Sequence, residues 1–311
     1  MAETLTKTLK GGNFDSIFTE VPHAETLGLR NPEALRLFHL DVLNYAFNTT
    51  DLHRFLSRNI GQYVFSRARL EKYRVDDDLV SVAYDALSLM RQNGSPDEKG
   101  TGNELGEILL YAFLEEKLGA PKILSKVELN TTGKQYNSKC DSIHLLSFGN
   151  TYGFPYYQMV FGTSSVIGDL KDAIDCAFDR IVQIESQSEN ELHMIESTVL
   201  DRTFNEETSR TLLDILIPSK ERKASYDSAY GIFLGYTLGL NPARYSSVQF
   251  RQAVVQKMVL DIENHAAYIA QRIKNLGLDG HSFYFYILPL NDAETDKKGI
   301  MEKLLLVGGG S

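Results

Sequence analysis

A mixed α/β or α+β fold, with helices around a central sheet, is what this 311-residue sequence predicts. Three observations carry it. Apolar residues recur at helical spacing over several long stretches, and short alternating or wholly apolar runs sit between them. From Gly102 to Gln187 the order becomes helix, three strands, helix, which places a sheet between helical layers.

The first thirty residues are mixed, with Gly11-Gly12 and Pro22 as breakers. Asn31-Pro32-Glu33 has the form of a helix start, and Leu35, Phe38, Val42, Tyr45 and Ala46 predict a helix to about Asn48. Thr50–Ile60 and Asp76–Arg91 predict two more, the latter acidic in its first turn and basic in its last. Asn93–Gly100 is the clearest linker. It divides a mostly helical region, 1–98, from a main domain, 99–307. Residues 308–311 (GGGS) have linker composition and are set aside as a remnant.

Past the linker, Asn103–Leu118 is predicted helical, stopped by Gly119 and Pro121. Lys122–Asn130, Lys139–Ser147 and Tyr156–Thr163 predict strands, and Asp169–Gln187 a second helix. Thr208–Leu216 and Val248–Leu276 are helical in pattern, with buried strands at Tyr230–Leu238 and Ser282–Leu290. The five central elements, in that order, resemble the core of restriction-endonuclease-like folds, the PD-(D/E)XK type, here with helical additions at both ends.

Bulk chemistry narrows the class. The net charge of −9 argues against a uniformly basic nucleic-acid surface, though not against a local groove or DNA presented by a partner. No apolar run approaches the roughly eighteen residues of a membrane span, and the first residues lack a signal-peptide core. A cytoplasmic protein with no membrane association is the expectation. Cys140 and Cys176, the only cysteines, suit reduced thiols rather than a disulfide framework or a zinc site.

In such folds a Glu on the first helix and an Asp on the second strand hold a metal. A Glu-x-Lys on the third strand completes the centre. Carboxylates make a hard oxygen site for Mg²⁺, and a lysine beside them positions or deprotonates the attacking water. Glu107 takes the helix place, with Gly106 leaving room for another backbone. Asp141 takes the second-strand place, inside an otherwise apolar run where an acid needs a partner or a metal. At the third place the sequence departs: Thr163 stands where the carboxylate is expected and Ser165 where the lysine is. Hydroxyls bind hard cations weakly and supply no charge. Either Glu107 and Asp141 hold Mg²⁺ (or Mn²⁺) with help from Thr163, and Lys139 or Lys171 replaces the missing lysine, or the centre is silent. Lys139 shares the Asp141 side of its strand by alternation. His144 reads as a structural histidine, and the aromatic runs around Tyr226–Tyr236 and Phe283–Tyr286 as core packing.

These residues carry a resemblance. Gly102-x-Glu104-Leu105-Gly106-Glu107, Lys139–His144, Val160–Ser165 and Gly168–Ile174 look like the HamA family, as do Tyr230–Tyr236 and Phe283–Pro289. That family holds the nuclease-like subunit of Hachiman anti-phage defence and the related AbpA proteins. The resemblance, over about residues 100–290, implies a DNA-directed effector working with a helicase subunit of the HamB type. Family members that cut carry Glu-x-Lys. The Thr163-Ser164-Ser165 departure leaves two readings open: a metal-dependent DNA nuclease, or a non-catalytic nuclease-fold subunit that binds and regulates the helicase.

Overall fold

The computed structural model describes residues 5–93, 104–127, 139–149, 156–187, 209, 212 and 225–306. Seven strands make one mixed sheet in the order β1-β2-β9-β8-β7-β6-β5. They are β1 (Phe18–Val21), β2 (Glu33–Leu40), β5 (Lys122–Ser125), β6 (Ser142–Ser147), β7 (Tyr156–Val166), β8 (Ser225–Thr237) and β9 (Ser282–Leu290). The four central strands, β2, β9, β8 and β7, run parallel, while β1 at one end and β6 and β5 at the other are antiparallel. Parallel strands covered on both faces should be apolar throughout rather than alternating. Strand β9, every residue of which is buried, has that character.

Helices cover both faces. Helix α5 (Glu104–Phe113), extended by a wider π-type turn to Leu118, ends at Gly119, whose φ of 73° is the left-handed conformation that favours glycine. Its Phe113 stacks on Tyr286 of β9, ring centres 5.3 Å apart. On the opposite face Phe178 of α6 (Leu170–Ser186) meets Phe283 and Phe285 of the same strand at 6.5 and 6.4 Å. Successive β9 side chains therefore serve two different layers. Asp169 caps α6 by accepting from the N–H groups of Lys171 and Asp172. The long α7 (Ser247–Asn275) opens with a capping box between Ser246 and Gln249. The aromatic residues Tyr230, Tyr236 and Phe283–Tyr286 are all buried in this core, as core packing required.

The predicted helix from Asn31 to Asn48 is a strand and a hairpin instead. Residues 33–40 form β2, pairing in parallel with β9 from Glu33 opposite Phe283 to Leu37 opposite Ile287. The sheet would otherwise end at a wholly buried β9, so the pairing of its backbone outweighs local helical spacing. Asn31 donates to the Gly280 carbonyl instead of capping a helix, and the Glu33 carboxylate accepts from the Leu27 and Leu29 N–H groups. Then β3 (Val42–Leu43) and β4 (Ala46–Phe47) form a hairpin whose two turn residues, Asn44 and Tyr45, both have positive φ. Thus the N-terminal strands belong to the same sheet as the rest of the chain.

Other boundaries shift less. Thr49–Val64 forms helix α2, as expected. The helix expected from Asp76 begins at Ser81 (α4, Ser81–Asn93), because Asp76 caps the end of α3 (Arg67–Val75) and Asp77 turns at φ 55°. A last helix, α8 (Ala293–Leu306), was not anticipated. The linker after Asn93, the helix at Thr208–Leu216 apart from Ser209 and Leu212, and the GGGS tail lie outside the described residues.

One buried acid ties three segments together. The Glu115 carboxylate accepts from the N–H groups of Thr8 (2.7 Å) and Leu9 (2.6 Å), from the Thr8 hydroxyl (2.9 Å), and from the Lys122 N–H at the start of β5 (2.8 Å). Replacing it strands several donors in a dry place, which costs about 3 kcal/mol. Glu115→Leu should lower the thermal midpoint by roughly 6 °C or more. An unchanged melting curve would show that these contacts are not holding the segments.

Candidate functional site

The site forms where β6 and β7 part. Their register brings Ser142 opposite Gly162, and the Asp141 N–H still donates to the Gly162 carbonyl at 2.9 Å. Beyond that point β7 runs on to Val166 past the start of β6, and its edge is met by side chains. Close approach makes the corner: a Cβ on Gly162 would lie 2.6 Å from the Ser142 hydroxyl, and one on Gly106 would lie 2.9 Å from the Ser164 hydroxyl. Both glycines are thus required for α5 to lie against this end of the sheet. The room predicted at Gly106 is filled by Ser164 and Val166.

Glu107 and Asp141 come together here, both buried. Lys126, one residue past β5, donates to Glu107 Oε1 at 2.8 Å and lies 3.5 Å from Asp141 Oδ1. Tyr63 of α2 donates its hydroxyl to Glu107 Oε2 at 2.7 Å. Asp141 Oδ2 accepts from the Ser164 N–H and hydroxyl, each at 2.7 Å. Arg180 of α6 reaches around the open edge of β7. Its Nη1 lies 3.3 and 3.5 Å from the Asp141 oxygens and donates to the Ser164 carbonyl at 3.1 Å. Lys297 of α8 donates to the Val166 carbonyl at 2.8 Å. A pocket of about 180 Å³ opens at this corner, lined among others by Glu107, Lys126, Ser165, Cys176, Arg180 and Lys297.

The sequence-derived residues divide. On β7 the residue touching Asp141 is Ser164, not Thr163 or Ser165. Gly162 and Ser164 face α5, so alternation turns Thr163 and Ser165 toward the α6 face. The hydroxyls of both are buried without a hydrogen-bond partner among the described residues, and Ser165 lines the pocket. Lys171 is exposed, paired with Asp175 at 2.8 Å and lying over the Tyr268 ring. Lys139 is half-buried two residues before Asp141, but the lysine on the two carboxylates is Lys126. Lys126 and Arg180 were missed. The trace of Lys126 in sequence is slight: a lysine directly after the buried strand Lys122–Ser125. His144 bonds the Ala120 carbonyl and Ser142, and burial holds its pKa down to about 3, a neutral structural group.

Electrostatics follow from the burial. Desolvation, reinforced by Asp141, pushes Glu107 up to about 7 against the opposing pull of Lys126 and Tyr63. Burial alone would lower Lys126, but Glu107 and Asp141 together outweigh it and hold the ammonium above its usual range. Glu107 therefore exchanges a proton near neutrality while Lys126 keeps its own. Among the described residues no third carboxylate, His or Cys completes a metal-binding group of three.

The fold and this centre define a class: a mixed α/β protein whose seven-stranded sheet carries a buried Glu–Asp–Lys–Arg cluster at an open strand end. A family model described as HamA matches residues 15–304. This chain belongs to the HamA family, a family of anti-phage defence. No curated protein and no solved structure matches it. Among the described residues no helix is long and apolar enough to cross a membrane.

The raised Glu107 pKa has a signed consequence. Its favourable contribution to folding is complete below about pH 4.5 and is lost as pH rises through about 7. Glu107→Gln removes that titration. Thermal melts from pH 5 to 8.5 should show the wild type losing stability relative to the variant as pH rises. A difference that stays flat over this range would contradict the assignment.

Proposed function

We propose that this HamA chain is the effector half of a two-part defence system, a metal-dependent phosphodiesterase that cuts DNA presented by a helicase partner. One observation carries the reading. Lys126 stands 2.8 Å from Glu107 and 3.5 Å from Asp141, so a Glu–Asp–Lys set is complete although the third strand bears no lysine. The lysine comes from the residue after β5 instead of from β7, and its charge lies beside the acids.

The donors fit a hard divalent ion, Mg²⁺ or Mn²⁺, in kind: two carboxylates and the Ser164 main-chain carbonyl, all oxygen, already turned toward cations. When bound, such an ion supplies charge neutralisation at the phosphate and a more acidic water. The chain's own groups do the rest. Asp141, fixed by two bonds from Ser164, presents its carboxylate in one orientation. Lys126, held protonated, faces the developing negative charge on the phosphodiester. Glu107, bonded to Tyr63 and Lys126, is held in place as the second carboxylate of the site. Partnership with a helicase is supported by the family's two-component organisation, and DNA reaches the centre within that assembly, consistent with a net charge of −9 that disfavours unaided DNA binding.

A second reading has its own observation. Every oxygen of Glu107 and Asp141 already meets a protein donor, as a centre retained for structure would require. In that case the chain regulates the helicase without cutting. Plasmid degradation by the chain with its helicase, in Mg²⁺ or Mn²⁺, separates the two. Asp141→Asn and Lys126→Gln should each reduce cleavage by about 100-fold or more. Equal, negligible cleavage by wild type and both variants would leave the regulatory reading standing.

A further inference from the structure

We propose that the Asp141 carboxylate and the Ser164 main-chain carbonyl form the cation position of this centre, and that Arg180 is its resident occupant, which a divalent ion must displace. The inference rests on the phosphodiesterase reading above and adds the residue that keeps the resting chain closed.

The geometry is that of one cation on three oxygens. A single nitrogen, Arg180 Nη1, lies 3.1 Å from Ser164 O, 3.3 Å from Asp141 Oδ2 and 3.5 Å from Asp141 Oδ1. These oxygens come from two strands that have just separated, so no ladder partner takes the Ser164 carbonyl. Lys126 binds on another side of the pair, at Glu107 Oε1 and Asp141 Oδ1. With Lys126 and Arg180 in place and Glu107 ionised, two positive charges balance two negative ones. A divalent ion would overfill that balance unless one of them left.

Arg180 is the one able to leave. Its side chain, 30% exposed, lines the pocket, as does that of Lys126 at 27%, so the lengths of their contacts to the acids decide between them. The Arg180 contacts at 3.1–3.5 Å are looser than the 2.8 Å bond of Lys126 to Glu107. A divalent ion needs oxygens at about 2.0–2.2 Å, closer than an arginine on the same oxygens permits, so the two occupants exclude each other. The arginine is anchored on α6, and its local concentration is therefore fixed. Any movement of α6 away from the β7 edge removes the competitor.

Mn²⁺ titration followed by electron paramagnetic resonance tests this on the full chain without reference to turnover. Loss of a charge-assisted arginine contact is expected to tighten Mn²⁺ binding about tenfold or more in Arg180→Ala and Arg180→Gln. Arg180→Lys, which keeps the charge, should stay near wild type. Adding Asp141→Asn to Arg180→Gln should abolish the gain. Folded Arg180 variants with wild-type Mn²⁺ affinity, or a gain that survives Asp141→Asn, would overturn the proposal. If Arg180→Ala fails to fold, the Gln and Lys variants still decide. Plasmid cleavage on the same samples keeps the two ideas apart. Tightened binding with no cleavage sinks the phosphodiesterase reading alone, and wild-type cleavage with unmoved Mn²⁺ affinity sinks the arginine occupant alone.

Discussion

Two carboxylates buried side by side are the constraint around which this end of the molecule is arranged. A buried carboxylate with no counter-charge either takes up a proton or unfolds its surroundings. Glu107 and Asp141 are within reach of the same lysine, and Asp141 raises the cost of ionising Glu107. The structure answers with groups from four separate segments: Tyr63 from α2, Lys126 after β5, Ser164 from β7 and Arg180 from α6. Removing one partner of such a set typically costs about 3–5 kcal/mol, because the remaining charge has nowhere to go. The corner is therefore coupled, and its members report on one another.

Much of this was legible in the sequence, and the losses have physical causes. Asp141 stood out because it interrupts an apolar run, where a charge needs a partner, and Glu107 by its place on the helix that precedes the three strands. Helix α5, strands β6 to β9 and helix α6 followed from periodicity and end signals. The choice of face on β7 did not. Residues Tyr156–Val166 are covered on both sides, so polarity does not alternate along them; the Glu-x-Lys pattern pointed to Thr163 and Ser165, while the residue bonded to Asp141 is Ser164 between them. Strand β2 was misread for a related reason. Its apolar residues fit a helix locally, and only the presence of β9 beside it decides. Lys126 and Arg180 were hidden because their meaning is a contact across the fold, at sequence separations of 19 from Glu107 and 39 from Asp141 respectively.

The open edge of β7 explains why the centre sits where it does. A strand that outruns its neighbour leaves main-chain groups without ladder partners, and buried groups of that kind must find others. Here the Ser164 N–H goes to the Asp141 carboxylate, the Ser164 carbonyl to Arg180, and the Val166 carbonyl to Lys297. Each substitute is a charged side chain, and each is brought by a different element. Edge satisfaction and charge compensation are thus one problem with one solution: the acid that needs a donor finds the N–H, and the cation that needs an acceptor finds the C=O. A strand end closed by side chains differs from one closed by another strand in a way that matters for chemistry. Side chains on the rim of a pocket can exchange their partners for water, phosphate or a metal without unravelling the sheet, whereas a paired strand cannot. The fork between β6 and β7 is therefore a place in this fold where polar groups can change partners while the strand pairing stays intact.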